Sequence, residues 1–208
     1  IPGSGVDIYR FSRAPLPPSE RGRMTFLMVA RLLRDKGVIE FADAARMLGE
    51  RYPDVRFMLV GGADRSNPSC LAEDEIERLR QIRCLTIVGE VADVREYLAQ
   101  CHVFVLPSYR EGLPRSALEA MAVGRPLVLS DVPGCRQLVR EGVNGTLVPA
   151  GDAAALAHAI GARLTRADKL EHMANESRRI AVEEYSLRAV TQQTLEAYLE
   201  VLSRRGSQ

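Results

Sequence analysis

Two glutamates stand eight positions apart in the stretch YREGLPRSALEAM, positions 109–121. Glu111 precedes a Gly-Leu-Pro turn, and Glu119 lies in the apolar run that follows, which is typical of a helix. The pair could be an acid and a base, two solvated helix charges, or two contacts to one ligand. A glycosidase pair fits poorly, because those carboxylates flank one bond and usually come from different elements.

The turn between the two glutamates favours an anion site. Pro114 suits the first position of a helix, where its missing N–H costs nothing. The helix start leaves free N–H groups at Gly112, Leu113, Arg115 and Ser116. Glu119 would then lie roughly 6–8 Å along the axis from Glu111, so the carboxylates would bracket the N-terminus. In the competing interpretation, Glu119 pairs with Arg115 on a solvated face.

Two cations lie in the stretch ARLLRDKGV, positions 30–38. Arg31 directly follows a predicted strand, and Lys36 directly precedes a predicted helix. Cations beside a helix N-terminus can bind phosphate, because the helix dipole and free N–H groups act in the same direction. A solvated loop is the alternative. The pair Gly61-Gly62 ends another strand, and would let a ligand approach the backbone or form a plain turn.

These loops must be positioned by alternating strands and helices. Strands are predicted at 24–30, 55–62, 84–90, 102–108, 125–132 and 145–149; helices are predicted at 37–52, 71–82, 94–101, 114–124, near 135–140, 152–164, 167–183 and 187–204. Fully apolar strands alternating with helices indicate an α/β fold, a Rossmann-like, doubly wound parallel sheet with helices on both faces and a helical C-terminal tail. Ligands bind such sheets beyond the carboxyl ends of the strands. No G-x-G-x-x-G follows any strand, so the dinucleotide fingerprint is absent.

The composition excludes several functional classes. The chain has 208 residues, is 46% hydrophobic and carries a net charge of +1, so it can bury one large core and shows no basic excess for nucleic acid. No apolar run has the length of a membrane span, and no signal peptide precedes the first strand. The four cysteines and three histidines form no cluster with metal-ligand spacing, so no metal site is expected.

Several motifs together resemble a known family. They are R-x-x-x-x-K-G at 31–37, VLPS-x-x-EGLP-x-x-x-LEAMA-x-G-x-P at 105–126, SDVPG at 130–134, and the flanking GSGVD and EGVNGTLVPAGD. These resemble the C-terminal domain of retaining glycosyltransferases with the GT-B fold, family four, including members that build bacterial surface glycans. The resemblance extends from Gly5 to about Tyr198.

The resemblance implies a donor site for a nucleotide sugar. Arg31 and Lys36 would bind the pyrophosphate and, with Glu111, would be the catalytic residues; Glu111 would contact the hydroxyls of the donor sugar. Glu119 would accept from both ribose hydroxyls. The remaining donor-binding residues would be the backbone at Gly112, Leu113 and Arg115, the loop Gly89, Glu90 and Val91 near the base, and Gly61.

The implied reaction is transfer of a hexose or N-acetylhexosamine, with retention, to a glycan or lipid-linked acceptor. The donor is expected to be a UDP-linked sugar. The pathway would be bacterial polysaccharide or lipopolysaccharide synthesis. No cofactor and no metal are implied, because the two cations and the helix dipole serve the leaving group. The location would be cytoplasmic, at the inner face of the membrane if a further domain brings the enzyme there.

The resemblance also divides the chain. Residues 1–20, with four prolines, would be a linker from an N-terminal acceptor domain that this sequence lacks, and residues 21–208 would be the nucleotide-sugar-binding domain. The last helix carries an apolar stripe that packs in the core or seeks a partner. Two other interpretations stay open: an epimerase or phosphorylase with the same donor fold, and a non-catalytic nucleotide-binding module. No pyridoxal-phosphate lysine region is seen, which disfavours a phosphorylase.

Overall fold

The computed structural model describes residues 5–18 and 23–205. Its centre is a sheet of six parallel strands in the order β3-β2-β1-β4-β5-β6. The strands are β1 Thr25–Val29, β2 Arg56–Val60, β3 Leu85–Gly89, β4 Val103–Leu106, β5 Leu127–Ser130 and β6 Gly145–Val148. The order reverses between β1 and β4, and this switch point opens a crevice at the carboxyl edge of the sheet.

Eight α-helices accompany the strands within the described residues. They are α1 Val38–Arg51, α2 Glu73–Arg80, α3 Arg95–Gln100, α4 Arg115–Val123, α5 Pro133–Arg136, α6 Ala153–Thr165, α7 Leu170–Glu184 and α8 Leu187–Arg205. Short 3-10 helices at Arg34–Lys36 and Ala167–Lys169 precede α1 and α7. Helix α1 packs with α6, and α4 packs with α3 and α7, so helices cover both faces of the sheet.

The burial of the strands explains why their sequences lack a polar face. Every residue of β4 and β5 is buried, because these strands lie inside the sheet and have helices on both sides. Three phenylalanines fill the centre: Phe57 stacks on Phe26 with ring centroids 5.3 Å apart, and Phe41 of α1 meets Phe57 edge-on. The predicted fold class, a doubly wound α/β sheet with a helical C-terminal segment, is confirmed.

Small differences from the predicted elements have local causes. Helix α5 begins at Pro133, two residues before the predicted start, because proline occupies the first helical position there. Pro114 was expected at the first position of α4, but it has extended backbone and is the N-cap, so α4 begins at Arg115. Both differences concern one or two residues at a helix end.

The apolar stripe of α8 lies on the surface. Leu187, Leu195, Tyr198, Leu199 and Leu202 are all more than half exposed. The stripe therefore does not pack in the core of the described residues. In that part of the chain no helix combines the length and apolar character needed to cross a bilayer.

Residues 5–18 lie against the domain. Val6 forms a parallel bridge with Ser186, and Val6 and Phe11 are buried in the main core. Residues 1–4, 19 and 20 of the predicted linker lie outside the described residues, as do 21 and 22 at the predicted start of the domain. The division into a linker and a domain at position 20 stays a prediction.

Candidate functional site

The loops after β1 and β4 meet at the switch point of the sheet. Lys36 comes from the first loop and Glu111 from the second, and the Lys36 Nζ lies 2.7 Å from Glu111 Oε1. The Lys36 side chain keeps 25% of its surface exposed and Glu111 keeps 10%. Residues 75 positions apart in the chain therefore form a partly buried ion pair where doubly wound sheets bind ligands.

Gly37 allows the loops after β1 and β4 to approach each other closely. Gly37 has φ of 75°, and a Cβ atom at this position would lie 2.1 Å from the carbonyl oxygen of Pro107. Only glycine combines that left-handed backbone with such a close approach. The loop is also tied down by Asp35, whose carbonyl accepts hydrogen bonds from the Ser108 hydroxyl at 3.0 Å and the Tyr109 N–H at 2.8 Å. Lys36 is thereby fixed beside the β4 loop.

The second cation, Arg31, has a different partner. It forms an ion pair with Asp64 in the loop after β2 and keeps 56% of its side chain exposed. The Ser66 hydroxyl donates to Asp64 at 2.6 Å and, with the Arg31 charge, holds the pKa of Asp64 below its usual value. Gly61 has φ of 147°, and a Cβ there would meet the Ala30 carbonyl oxygen at 1.9 Å. The ends of β1 and β2 thus approach closely enough for this pairing.

The N-terminus of α4 lies beside Glu111. The first helical hydrogen bond of α4 runs from the Leu118 N–H to the Pro114 carbonyl. The N–H groups of residues 115–117 therefore have no partner within the helix. Gly112 is exposed and has open space around it, whereas Gly134 of α5 packs tightly on this loop. A Cβ at Gly134 would lie 2.4 Å from the Gly112 carbonyl oxygen, and its N–H donates to Glu111 O at 3.2 Å. Helix α5 therefore supports the loop from behind and leaves its outer side open.

Glu119 lies one helical turn after Arg115 on α4 and is half-buried. Burial raises its pKa, and the charges of Arg115 and Arg10 act against that rise. The ion pair with Arg115 that the spacing allowed is not formed, and among the described residues Glu119 has neither an ion-pair partner nor a hydrogen-bond donor. Glu111 and Glu119 thus differ: the first is paired with a lysine, and the second has free acceptor oxygens.

Two cavities follow the carboxyl edge of the sheet. One, of about 420 Å³, is lined by Arg31, Gly61, Gly62, Asp64, Glu90 and Val91, among others. The other, of about 360 Å³, contains Arg115 and Glu119, and Val94 lines both. Gly89 has φ of 94° and nothing close to its Cβ position, so the chain turns there with an open side. The structure thus divides the predicted site residues: some line one of these two openings, and the rest, which are Lys36, Gly89, Glu111, Gly112 and Leu113, line neither of them.

The sequence did not predict the roles of Asp64, Gly37 and Gly134, nor that residues 5–11 line a cavity at the site. Asp64 follows the Gly61-Gly62 pair, and the sequence did not predict it as the partner of Arg31. Gly37 and Gly134 were part of quoted motifs, K-G and SDVPG, and only their tight packing in the structure shows why glycine stands there. Residues 5–11, treated as linker, form one side of the 360 Å³ cavity. The motif GSGVD was the available signal for that wall.

Comparison with known proteins places this geometry in a family. The family described as glycosyl transferases group 1 matches residues 23–166, which includes the loops after β1, β2, β3 and β4. The chain is 43% identical over 119 residues to the N,N'-diacetylbacillosaminyl-diphospho-undecaprenol alpha-1,3-N-acetylgalactosaminyltransferase of Campylobacter jejuni, covering 57% of this chain and 30% of that protein. It is 32% identical over 207 residues to the phosphatidyl-myo-inositol mannosyltransferase of Mycobacterium leprae, covering 98% of this chain and 54% of the relative.

A solved structure agrees with the sequence relatives. Anabaena HepE, crystallised in complex with UDP, superposes with a TM-score of 0.79 at 25% identity, over 94% of this chain and 56% of HepE. The chain thus spans between 30% and 56% of the length of these three proteins. The six-stranded sheet is one Rossmann-like half of a GT-B fold, and the chain belongs to the group 1 glycosyltransferases.

Proposed function

We propose that this chain is the donor-binding half of a retaining glycosyltransferase, in which the loops at the carboxyl edge of the sheet hold a nucleotide sugar. The observation that carries the proposal is the Lys36–Glu111 pair at the switch point, 2.7 Å apart. A cation and a carboxylate in contact provide one group for a diphosphate and one for sugar hydroxyls. The bacterial relatives named above, and the UDP bound by HepE, support this choice of donor class.

Lys36 and Arg31 would receive the diphosphate. Arg31 follows the end of β1, and Lys36 ends the 3-10 helix that precedes α1. Lys36 is paired with Glu111 and Arg31 with Asp64. A diphosphate would exchange these carboxylates for its own oxygens, so little side-chain movement is required. The free N–H groups at the start of α4 would add to the same anion site. This charge stabilises the departing nucleoside diphosphate, which is the main electrostatic requirement of glycosyl transfer through an oxocarbenium-like transition state.

Glu111 and Glu119 would hold the two sugars of the donor. Glu111, released from Lys36, would accept hydrogen bonds from hydroxyls of the transferred sugar. The backbone at Gly112, Leu113 and Arg115 would lie beside that sugar. Glu119, with free acceptor oxygens, would accept both ribose hydroxyls. The loop Gly89, Glu90 and Val91 would meet the base. The arrangement needs no metal ion, because cationic side chains already face the leaving group.

The donor sugar would be a hexose or N-acetylhexosamine, and the acceptor a lipid-linked or glycan substrate of bacterial surface polysaccharide synthesis. The relatives' names support a lipid-linked acceptor. We further propose that the acceptor is held by an N-terminal domain joined through residues 1–20, and that the enzyme works in the cytoplasm at the inner face of the membrane.

Calorimetry with UDP, GDP, ADP and uridine tests the site. We expect one of the diphosphates to bind with a much higher affinity than the corresponding nucleoside. Lys36→Ala and Arg31→Ala should each weaken the diphosphate about tenfold or more and leave the nucleoside unchanged, since a charge-assisted hydrogen bond contributes roughly 1.5–3 kcal/mol. Arg78→Ala is the matched control, because Arg78 is 70% exposed and pairs with Asp74 on α2. Equal losses for diphosphate and nucleoside would refute the assignment of the two cations.

A further inference from the structure

A second side-chain contact joins the loops after β1 and β4 beside the Lys36–Glu111 pair. The hydroxyl of Tyr109, two residues before Glu111, donates to Glu40 Oε1 at 2.6 Å. Glu40 lies in the first turn of α1, four residues after Lys36. Tyr109 and Glu40 are 69 positions apart in the chain, so only the fold brings them together. Tyr109 therefore links the start of α1 to the loop that carries Glu111.

Tyr109 contacts the chain on both sides of Lys36. Its backbone N–H donates to the Asp35 carbonyl at 2.8 Å, and its hydroxyl reaches Glu40. Its ring lies against Gly151, in the loop between β6 and α6, where an added Cβ would be 3.2 Å from the hydroxyl oxygen. Because its backbone and its hydroxyl are both bonded, the tyrosine fixes the distance between its own loop and the loop of Lys36.

The Glu40 carboxylate depends on this hydroxyl. Glu40 is partly buried, and its second oxygen, Oε2, is buried without a donor in the part of the chain that the structure describes. A partly buried carboxylate is unfavourable unless hydrogen bonds satisfy it, so the Tyr109 hydroxyl stabilises the ionised Glu40. Tyr109 itself keeps 43% of its surface exposed, so removal of its hydroxyl would leave the core intact.

The Lys36–Glu111 pair does not hold the loops together once a donor is bound. In the proposed function a diphosphate takes the place of Glu111 on Lys36, and this contact between the loops is lost. The same diphosphate would be held by Lys36 from one loop and by the N–H groups of residues 115–117 from the other. Binding groups whose separation is already set need less ordering when a ligand arrives. The Tyr109–Glu40 bond remains in that state, because neither partner belongs to the exchanged pair.

We propose that Tyr109 and Glu40 are positioning residues of the donor site, whose hydrogen bond keeps the loop of Lys36 and the loop before α4 at a fixed separation while a diphosphate replaces Glu111 on the lysine. The inference rests on the proposed function and extends it to two residues that do not contact the donor. They act through Lys36.

Calorimetric titration with UDP, or whichever of UDP, GDP and ADP binds, and with the corresponding nucleoside tests this role. Tyr109→Phe and Glu40→Ala should each weaken the diphosphate about threefold to fivefold, as expected for one hydrogen bond, and leave the nucleoside unchanged. Glu40→Gln should retain most of the affinity, because its amide oxygen accepts the same bond. Tyr198→Phe is the matched control, since Tyr198 is 67% exposed on α8.

The Lys36→Ala background separates positioning from a general structural effect. With one side of the diphosphate contact removed, the separation of the loops no longer matters, so Tyr109→Phe should cost no further affinity there. A general structural effect would weaken the diphosphate equally in both backgrounds and would weaken the nucleoside as well.

Hydrogen exchange of the backbone N–H at position 109 tests the link between the loops without a ligand. This N–H donates to Asp35, so it exchanges when the loops separate. Tyr109→Phe should raise its exchange rate about threefold or more, the result of a lost hydrogen bond. The Phe104 N–H, which donates to Pro126 within the sheet, should exchange as in wild type.

The outcomes distinguish this inference from the proposed function. If the wild-type chain binds none of the diphosphates, the proposed function fails and this inference with it. If wild type binds a diphosphate and Tyr109→Phe binds it equally well, this inference alone is overturned. Equal losses with and without Lys36, or unchanged exchange at position 109, would overturn it in the same way.

Discussion

Replacement of Glu111 by Gln should make the chain bind a nucleoside diphosphate more tightly, if the proposed donor site is correct. In the ligand-free site Lys36 is already neutralised by Glu111 at 2.7 Å. A diphosphate without its sugar must compete with this carboxylate for the lysine and also approaches the Glu111 charge. Gln removes the competing charge but keeps the shape of the side chain.

The magnitude follows from the exposure of the pair. At 2.7 Å two unit charges attract by about 1.5 kcal/mol at the dielectric constant of water and about 6 kcal/mol at an effective value of 20. Lys36 keeps a quarter of its side chain exposed, so water replaces much of the lost attraction. A net effect of about 1 kcal/mol, the upper end for exposed pairs, corresponds to an affinity gain of about fivefold.

Calorimetry with UDP on wild type and Glu111→Gln measures this gain, and raised salt should reduce it. Glu50→Gln is the control, because Glu50 lies near the C-terminus of α1, away from the crevice. In the full-length enzyme the same variant should lose transfer activity, since the sugar hydroxyls lose a charged acceptor. A lower UDP affinity for Glu111→Gln than for wild type would refute the competition between the carboxylate and the diphosphate.

Three further changes test how the fold holds the site. Gly37→Ala should lower the free energy of unfolding by about 2 kcal/mol or more, because a left-handed residue with a Cβ costs roughly 1–2 kcal/mol and the clash with Pro107 adds to it. Urea unfolding measures this loss, and Gly161→Ala, where the nearest atom is 3.5 Å from the added Cβ, is the control. Burial lowers the pKa of His102, so below about pH 6.5 the unfolded chain binds a proton that the folded chain does not, and the free energy of unfolding should decrease as the pH falls. In His102→Gln this decrease should be smaller, as urea midpoints from about pH 5 to 7.5 would show. Arg125→Met should cost about 2–4 kcal/mol in the same measurement, because the fully buried guanidinium donates to four backbone carbonyl groups that would lose their donor.

Each of these three predictions would be contradicted by one definite result. A Gly37→Ala chain as stable as wild type would show that the β1 and β4 loops relax apart. An unchanged pH dependence in His102→Gln would mean that another group titrates in that window. A small effect of Arg125→Met would mean that water reaches the four carbonyl groups.

Much of the candidate site could be predicted because its residues follow strands. Alternation of apolar runs and helical periods determined the parallel sheet, and parallel strands end at one edge. The residues just after them, such as Arg31, Gly61 and Glu111, therefore had to lie near one another. The glycines and the helix start in EGLP also carry local backbone constraints that the sequence states directly.

The tertiary structure decided which charges meet. The acids and bases of these loops allow many pairings, and the spacing allowed a pair of Glu119 with Arg115. The fold instead pairs Lys36 with Glu111 and Arg31 with Asp64. These partners are far apart in the chain, so no local pattern encodes them.

The close contacts at Gly37 and Gly134 and the wall formed by residues 5–11 are also products of packing. The sequence by itself determined the sheet and the loops that end at its carboxyl edge, because hydrophobic periodicity and backbone sterics act locally. Only the tertiary structure determined which side chains are paired and which are left free, because that depends on the distances between loops once the core has formed.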